Sequence, residues 1–159
     1  EVQRRRKEGK TSTFYVCCYP GKPNNYPFSP PAENTWMGWY AAALDLDGFL
    51  RWAYASWTEY PLLDARHVLF PGGDCFLVYP GARSSVRFER IREGIVDFEK
   101  LRILRERLKQ LGDPAARQAL EQLDRTLALF DYERVQAEPA EVPVGQGKKL
   151  LNELTRAWL

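Results

Sequence analysis

DGFLRWAYASW, residues Asp47–Trp57, decides how the rest of the chain is read. It opens on an acidic residue and a glycine, runs through mostly apolar and aromatic residues, and ends at a second tryptophan. Side chains along a strand alternate between two faces. Leu50, Trp52 and Tyr54 then share one face, and Phe49, Arg51 and Ala53 the other. Large residues on both faces predict a strand covered on both sides, as in α/β folds. Ligands in such folds sit at the carboxyl ends of the strands. Trp52, Tyr54 and Trp57 fall at that end.

Working outward, Thr13–Cys18 (TFYVCC) reads as an earlier strand and Asp74–Tyr79 (DCFLVY) as a later one, and both stop at a Pro-Gly pair. Residues 20–31 hold five prolines and form a long irregular loop. Asn24, Asn25 and Tyr26 in that loop either reach a ligand or simply turn the chain. A helix follows from the Ser29-Pro30-Pro31 start to about Leu44, with Trp36, Trp39 and Tyr40 on its core face. The connector 55–73 is long enough for a crossover between parallel strands, with a short helix expected at Leu62–His67.

The last half is helical. Ile91, Ile95, Phe98, Leu101, Leu104, Leu108 and Leu111 recur every three or four residues, behind a serine cap at Ser84 or Ser85 and before Gly112. Asp113-Pro114 opens a second helix, with Leu120, Leu123, Leu127 and Phe130 as its stripe. Residues 135–146 read as a Pro/Glu/Val linker, and a short last helix carries Leu151, Leu154 and Trp158. The division expected is a strand-bearing segment, 1–112, and a helical extension, 113–159. The first residues, EVQRRRKEGK, read as the end of a helix stopping at Gly9, as though the chain were part of something longer.

The totals narrow the function. The chain has 45% apolar and 28% charged residues, which is a globular composition. Its net charge of +2, from 23 basic and 21 acidic residues, gives no electrostatic case for nucleic acid. No apolar run reaches the roughly 18–20 residues a membrane span needs. Three cysteines, two of them adjacent, do not make a disulfide framework and read as small buried strand residues. With His67 the lone imidazole, no metal site is expected, and no cofactor motif is present. Three parallel strands are few and leave open edges. The sheet is therefore expected to be completed by residues outside this chain or by a second copy of it.

The series CCYPG, PNN, SPPAENTWMGW, DGFLRWAYASW, GGDCFLVYPG and RSSVRFERIREGIVDFEKL, in that order over roughly residues 13–105, resembles the C-terminal part of the catalytic domain of glycoside hydrolase family 123. The resemblance implies that the fold is the C-terminal portion of a (β/α)8 barrel: three parallel strands with long loops, then C-terminal helices. It implies a β-N-acetylgalactosaminidase-like, substrate-assisted activity on N-acetylhexosamine-containing glycans, in an exported bacterial protein. In that family the substrate's acetamido group attacks its own anomeric carbon. An adjacent Asp-Glu pair orients the acetamide and protonates the leaving oxygen. This sequence departs from the pattern, because no Asp-Glu dipeptide occurs in it. Catalytic residues are thus expected outside the chain.

Sugar recognition needs flat apolar faces and fixed polar groups. Trp52 is the leading platform candidate, followed by Tyr54, Trp57, Tyr19 and Tyr79 at strand ends and by Arg83 after the third strand. Asp47 and Asp74 precede their strands, the wrong end for barrel catalysis, and read as turn residues. Glu89 and Glu93 read as ion-pair residues of the long helix, and Ser84 and Ser85 lack a histidine partner. Two other readings use the same residues: a non-catalytic carbohydrate-binding module, and a dimerisation module built on the charged helical tail.

Overall fold

A computed structural model describes residues 1–159. The order is α1 (Val2–Lys7), β1 (Thr13–Tyr15), α2 (Pro31–Ala43), β2 (Gly48–Leu50), α3 (Val86–Leu111), α4 (Pro114–Leu127), α5 (Tyr132–Ala137) and α6 (Glu141–Trp158). The chain is mixed α/β but mostly helical. Its sheet has two strands, not three. They run parallel in the register Thr13↔Gly48, Phe14↔Phe49, Tyr15↔Leu50.

The expected third strand does not form. The segment 74–79 meets the chain beyond β2 in the antiparallel sense, through one bridge, Ala55↔Phe76. Leu77 N–H donates to the Tyr54 carbonyl at 2.8 Å, and Ser56 N–H donates to the Cys75 carbonyl at 3.0 Å. The flanking glycines turn it at both ends, with φ of 74° at Gly73 and at Gly81. Tyr79 then pairs back onto Arg83, its N–H donating to the Arg83 carbonyl at 2.8 Å. Without a continuous neighbour an apolar run stays out of a ladder, because strand preference is largely a preference for a partner surface. The helix expected at Leu62–His67 is also absent. A single turn at Tyr60–Asp64 takes its place. Residues 135–146 are the opposite case: instead of a linker they supply the end of α5 and the first turns of α6.

The helices form where their ends are marked. Ser85 Oγ accepts the Phe88 N–H at 3.1 Å and starts α3. Gly112, at φ 63°, ends it in the left-handed conformation that glycine adopts at least cost. Asp113 caps α4 by accepting the Ala116 N–H at 2.8 Å. One hydrophobic cluster runs through α2, α3, α4 and α6, including Trp36, Trp39, Leu104, Leu123, Phe130 and Leu151. Trp39 stacks on Phe130 with ring centres 4.9 Å apart. The stripe of α3 is less apolar than expected: Ile95 is exposed, while Arg87, Gly94 and Asp97 are buried.

Polar groups tie three of these helices together. Asp97 Oδ2 accepts the Trp39 indole N–H at 3.0 Å and Lys148 Nζ at 2.6 Å. Lys148 also lies 2.9 Å from Glu93. Burial works to raise the Glu93 carboxyl, but hydrogen bonds from Arg90 and Lys148 overcome it and hold it at about 2. A folded-state value below the unfolded value of about 4.3 adds stability above the unfolded value and loses it as pH falls through the folded one. Lys148→Met should therefore lower the urea midpoint at neutral pH. The gap from wild type should narrow between about pH 5 and pH 2. A gap independent of pH would show that the pair does not act through charge.

The sheet has one covered face. Phe14 packs edge-on against Tyr40 of α2 at 5.1 Å and lies 5.7 Å from Phe49. Tyr15 and Leu50, on the other face, stay exposed. This open apolar face positions the site described next.

Candidate functional site

Beyond β2, Arg51 turns inward and meets Asp74. Asp74 is 0% exposed and Arg51 5% exposed. Arg51 donates to Asp74 Oδ1 at 2.5 Å and to the Asp74 carbonyl at 2.8 Å. It also donates to the Val16 carbonyl and to Asn24 Oδ1, each at 3.2 Å. The second Asp74 oxygen accepts the Trp52 indole N–H at 3.1 Å. The buried Arg51–Asp74 pair therefore joins the end of β1, the loop 20–31, the end of β2 and the segment 74–79. A charge taken out of water needs such partners.

Trp52 is thereby fixed by its nitrogen while its ring remains 41% exposed. Phe70 lies against it, with ring centres 4.9 Å apart. Tyr54 is exposed and meets Phe88 of α3 edge-on at 5.7 Å. Trp57 donates its indole N–H to the Val78 carbonyl at 2.8 Å. Trp52, Tyr54 and Trp57 are thus all held against the 74–79 segment, and Tyr79, half-buried on Phe76 at 5.3 Å, belongs to that segment. Arg83 is exposed and donates to the Pro80 carbonyl at 3.0 Å. Tyr19 stands apart on the bend after β1. It is 76% exposed, and its proximity raises the Tyr132 phenol.

Asn24 and Asn25 resolve to the turn-forming reading. Both are fully buried. Asn24 Nδ2 donates to the Cys17 and Pro20 carbonyls at 2.6 and 2.5 Å, and Asn24 N–H donates to Glu33 at 2.8 Å. Burial raises the Glu33 carboxyl. Tyr26 donates its hydroxyl to the Cys17 carbonyl at 2.9 Å. Cys17 and Cys18 are not the buried strand residues expected, since β1 ends at Tyr15 and Cys18 is exposed on the bend, whereas Cys75 is buried.

Two features escape a reading of the sequence. Asp74 does more than turn the chain: it anchors the leading aromatic candidate. The signal for it was Arg51, a charge in an otherwise apolar run, which demands a buried acid. Tyr15 is the second. The neighbouring Cys17 thiol pushes its phenol up to about 12.

At the other end of the strands a groove of about 610 Å³ lies between Gln3, Arg6, Asp45 and Asp47 on one side and Arg102 and Arg105 on the other. Arg6 satisfies Asp45 and Asp47 there, each at 2.9 Å. No group of three or more histidine, cysteine or acidic side chains is arranged to hold a metal ion. No helix is long and apolar enough to cross a membrane.

A parallel strand pair with a helical back and aromatic residues beyond its carboxyl end is consistent with an α/β fold, a class in which ligands sit at the carboxyl ends of strands. The family model described as glycoside hydrolase 123, catalytic domain, matches residues 1–104, and the chain belongs to that family. The structure is similar to that of a family 123 glycoside hydrolase from Clostridium perfringens, described for the hydrolysis of glycolipid glycans. The TM-score is 0.81 at 23% identity, over 98% of this chain and 29% of that one. At that identity the likeness establishes the fold, and the chain spans about 29% of the length of that protein. Comparison by sequence with curated proteins gives no match.

Proposed function

We propose that this chain is the C-terminal portion of a (β/α)8 barrel glycosidase, supplying carbohydrate-site wall but not the catalytic carboxylates. In this reading β1 and β2 are barrel strands, and the open face of Tyr15 and Leu50 looks into the barrel. The observation that carries it is Trp52: an exposed indole, anchored by a buried carboxylate, at the carboxyl end of a strand. Aromatic faces held in this way suit the C–H surfaces of a sugar ring. Tyr54, Trp57 and Tyr79 extend the wall, and Tyr19 and Arg83 form its rim. The Asp-Glu pair of the substrate-assisted mechanism comes from a preceding part of the barrel, and the substrate is an N-acetylhexosamine-containing glycan. The exported setting of the family fits such a substrate. The helices after residue 112 extend the barrel segment, and the core that α4 and α6 share with α2 and α3 supports their folding with it.

A panel of aryl β-N-acetylgalactosaminides tests this, applied to the chain alone and to a form extended upstream. Activity is expected only in the extended form. Trp52→Ala should then lower kcat/KM by about 10- to 100-fold, or roughly 1.4–2.7 kcal/mol of transition-state stabilisation. Silence from both forms would remove the glycosidase reading. It would leave a carbohydrate-binding or dimerisation module, separated by sugar titration and by sedimentation.

A further inference from the structure

Neighbouring side chains in a strand point to opposite faces. Cys17 and Cys18 escape that rule because β1 has ended, and residues 17–19 form a bend. Their sulfurs lie 3.5 Å apart. The backbone of Cys17 is held while this happens. Its carbonyl accepts from Asn24 Nδ2 at 2.6 Å and from the Tyr26 hydroxyl at 2.9 Å, and its N–H donates to the Tyr19 carbonyl at 3.4 Å. Cys18 is exposed and Cys17 half-exposed, whereas the third cysteine, Cys75, is buried.

We propose that Cys17 and Cys18 are a redox-active vicinal dithiol, a modification site that a small-molecule disulfide of the glutathione class converts reversibly into an intrachain disulfide. The Cys17 thiolate attacks one sulfur of the oxidant, forming a mixed disulfide and releasing one thiol. The Cys18 thiolate then attacks the Cys17 sulfur and displaces the second thiol. Two protein thiols are oxidised, one external disulfide is reduced to two thiols, and the two cysteine protons leave with them. Closure needs the sulfurs to move from 3.5 Å to a bonded separation of about 2.0 Å.

The order of attack follows from the surroundings. The neighbouring Tyr15 phenol lowers the Cys17 thiol below the usual range, while the Cys17 sulfur beside it raises that of Cys18. Cys17 is therefore the first thiolate and Cys18 the resolving one. Reversibility follows from adjacency. Neighbouring Cα atoms sit about 3.8 Å apart, shorter than the roughly 4.4–6.8 Å of ordinary bridges, and bridges of unfavourable geometry are the readily reduced kind. The dithiol itself does not rest on the glycosidase reading.

Mass spectrometry of the intact protein after incubation with oxidised glutathione tests it. The peptide carrying Cys17 and Cys18 should lose two hydrogens, carry no glutathione, and return to its starting mass with dithiothreitol. Cys17→Ser and Cys18→Ser should each keep one bound glutathione, and Tyr15→Phe should slow the wild-type reaction several-fold. Stable glutathione adducts on the wild-type peptide would overturn the proposal. So would two thiols that stay unreacted in the folded protein yet react once it is denatured. Both readouts come from the unmutated protein and do not depend on a variant's folding.

Discussion

Asp74→Ala should destabilise the chain by about 3–5 kcal/mol, the usual cost of stranding a buried charge. Arg51 is 5% exposed and has no water to turn to when Asp74 is gone. Its remaining acceptors are all neutral: the main-chain carbonyl of residue 74 at 2.8 Å, and the Val16 carbonyl and Asn24 Oδ1, both at 3.2 Å. Arg51 Nε already lacks a partner. The cost should be larger than that of Asp47→Ala, whose half-exposed pair with Arg6 is worth about 0–1 kcal/mol and whose other partner is the Ser12 N–H at 2.7 Å. Asp74→Asn keeps an acceptor for one partner but offers an N–H to the other, so it should fall between the two. Urea unfolding of the three variants reads this order. If Asp74→Ala and Asp47→Ala unfold at the same midpoint, the buried pair is not holding these segments together. The double variant Arg51→Met/Asp74→Leu gives a second check, because removing both charges together should recover much of the loss.

Trp52 links that stability effect to the site. Its indole N–H loses its acceptor in Asp74→Ala, and the ring keeps only its contact with Phe70. An exposed aromatic ring freed at its polar end samples more rotamers, so sugar affinity should fall even where the fold survives. Trp52→Phe separates the effects, because it removes the N–H and keeps an apolar ring.

The helices were legible because their ends are written in single residues. Ser85, Gly112 and the Asp113-Pro114 pair mark the limits of α3 and α4 by local hydrogen bonding, which needs no distant partner. The start of α6 misled for the converse reason. The Pro/Glu/Val composition of 135–146 looks like a linker, yet Pro143 sits in the first turn, where its missing N–H costs no helical bond. The segment 74–79 misled because a continuous apolar run looks the same whether or not a neighbour strand pairs with it. The aromatic candidates were visible as residue types at a strand end. Their grouping onto the 74–79 segment was not, because it depends on Asp74 and on main-chain contacts more than twenty residues away. Arg51 was the one local clue.

Gly38→Ala should be the most disruptive small substitution in the helical layer. A Cβ at Gly38 would lie 2.2 Å from the Gly94 carbonyl oxygen and 2.5 Å from its carbon. These are main-chain atoms of α3, so no side chain can swing aside and the two helices must separate. Separation draws Trp36 and Trp39 away from the core they share with Leu101 and Leu104. Overpacking costs typically about 1–3 kcal/mol and occasionally more, set against a gain of about 1 kcal/mol from replacing a helical glycine. The methyl meets backbone that cannot swing aside, so the upper end applies, and a net loss of about 2 kcal/mol is expected. Gly94→Ala, whose Cβ would lie 2.7 Å from the Thr35 carbonyl oxygen, should behave alike but more mildly. The movement should also reach the site. Arg87, in the first turn of α3, donates to the Gly73 carbonyl at 2.7 Å and to the Asn25 carbonyl at 2.8 Å, next to Asp74 and Asn24. Thermal unfolding and the near-ultraviolet dichroism of the tryptophans should change together in Gly38→Ala. A raised melting temperature, as at an exposed helical glycine, would show that α2 and α3 do not cross through these two residues.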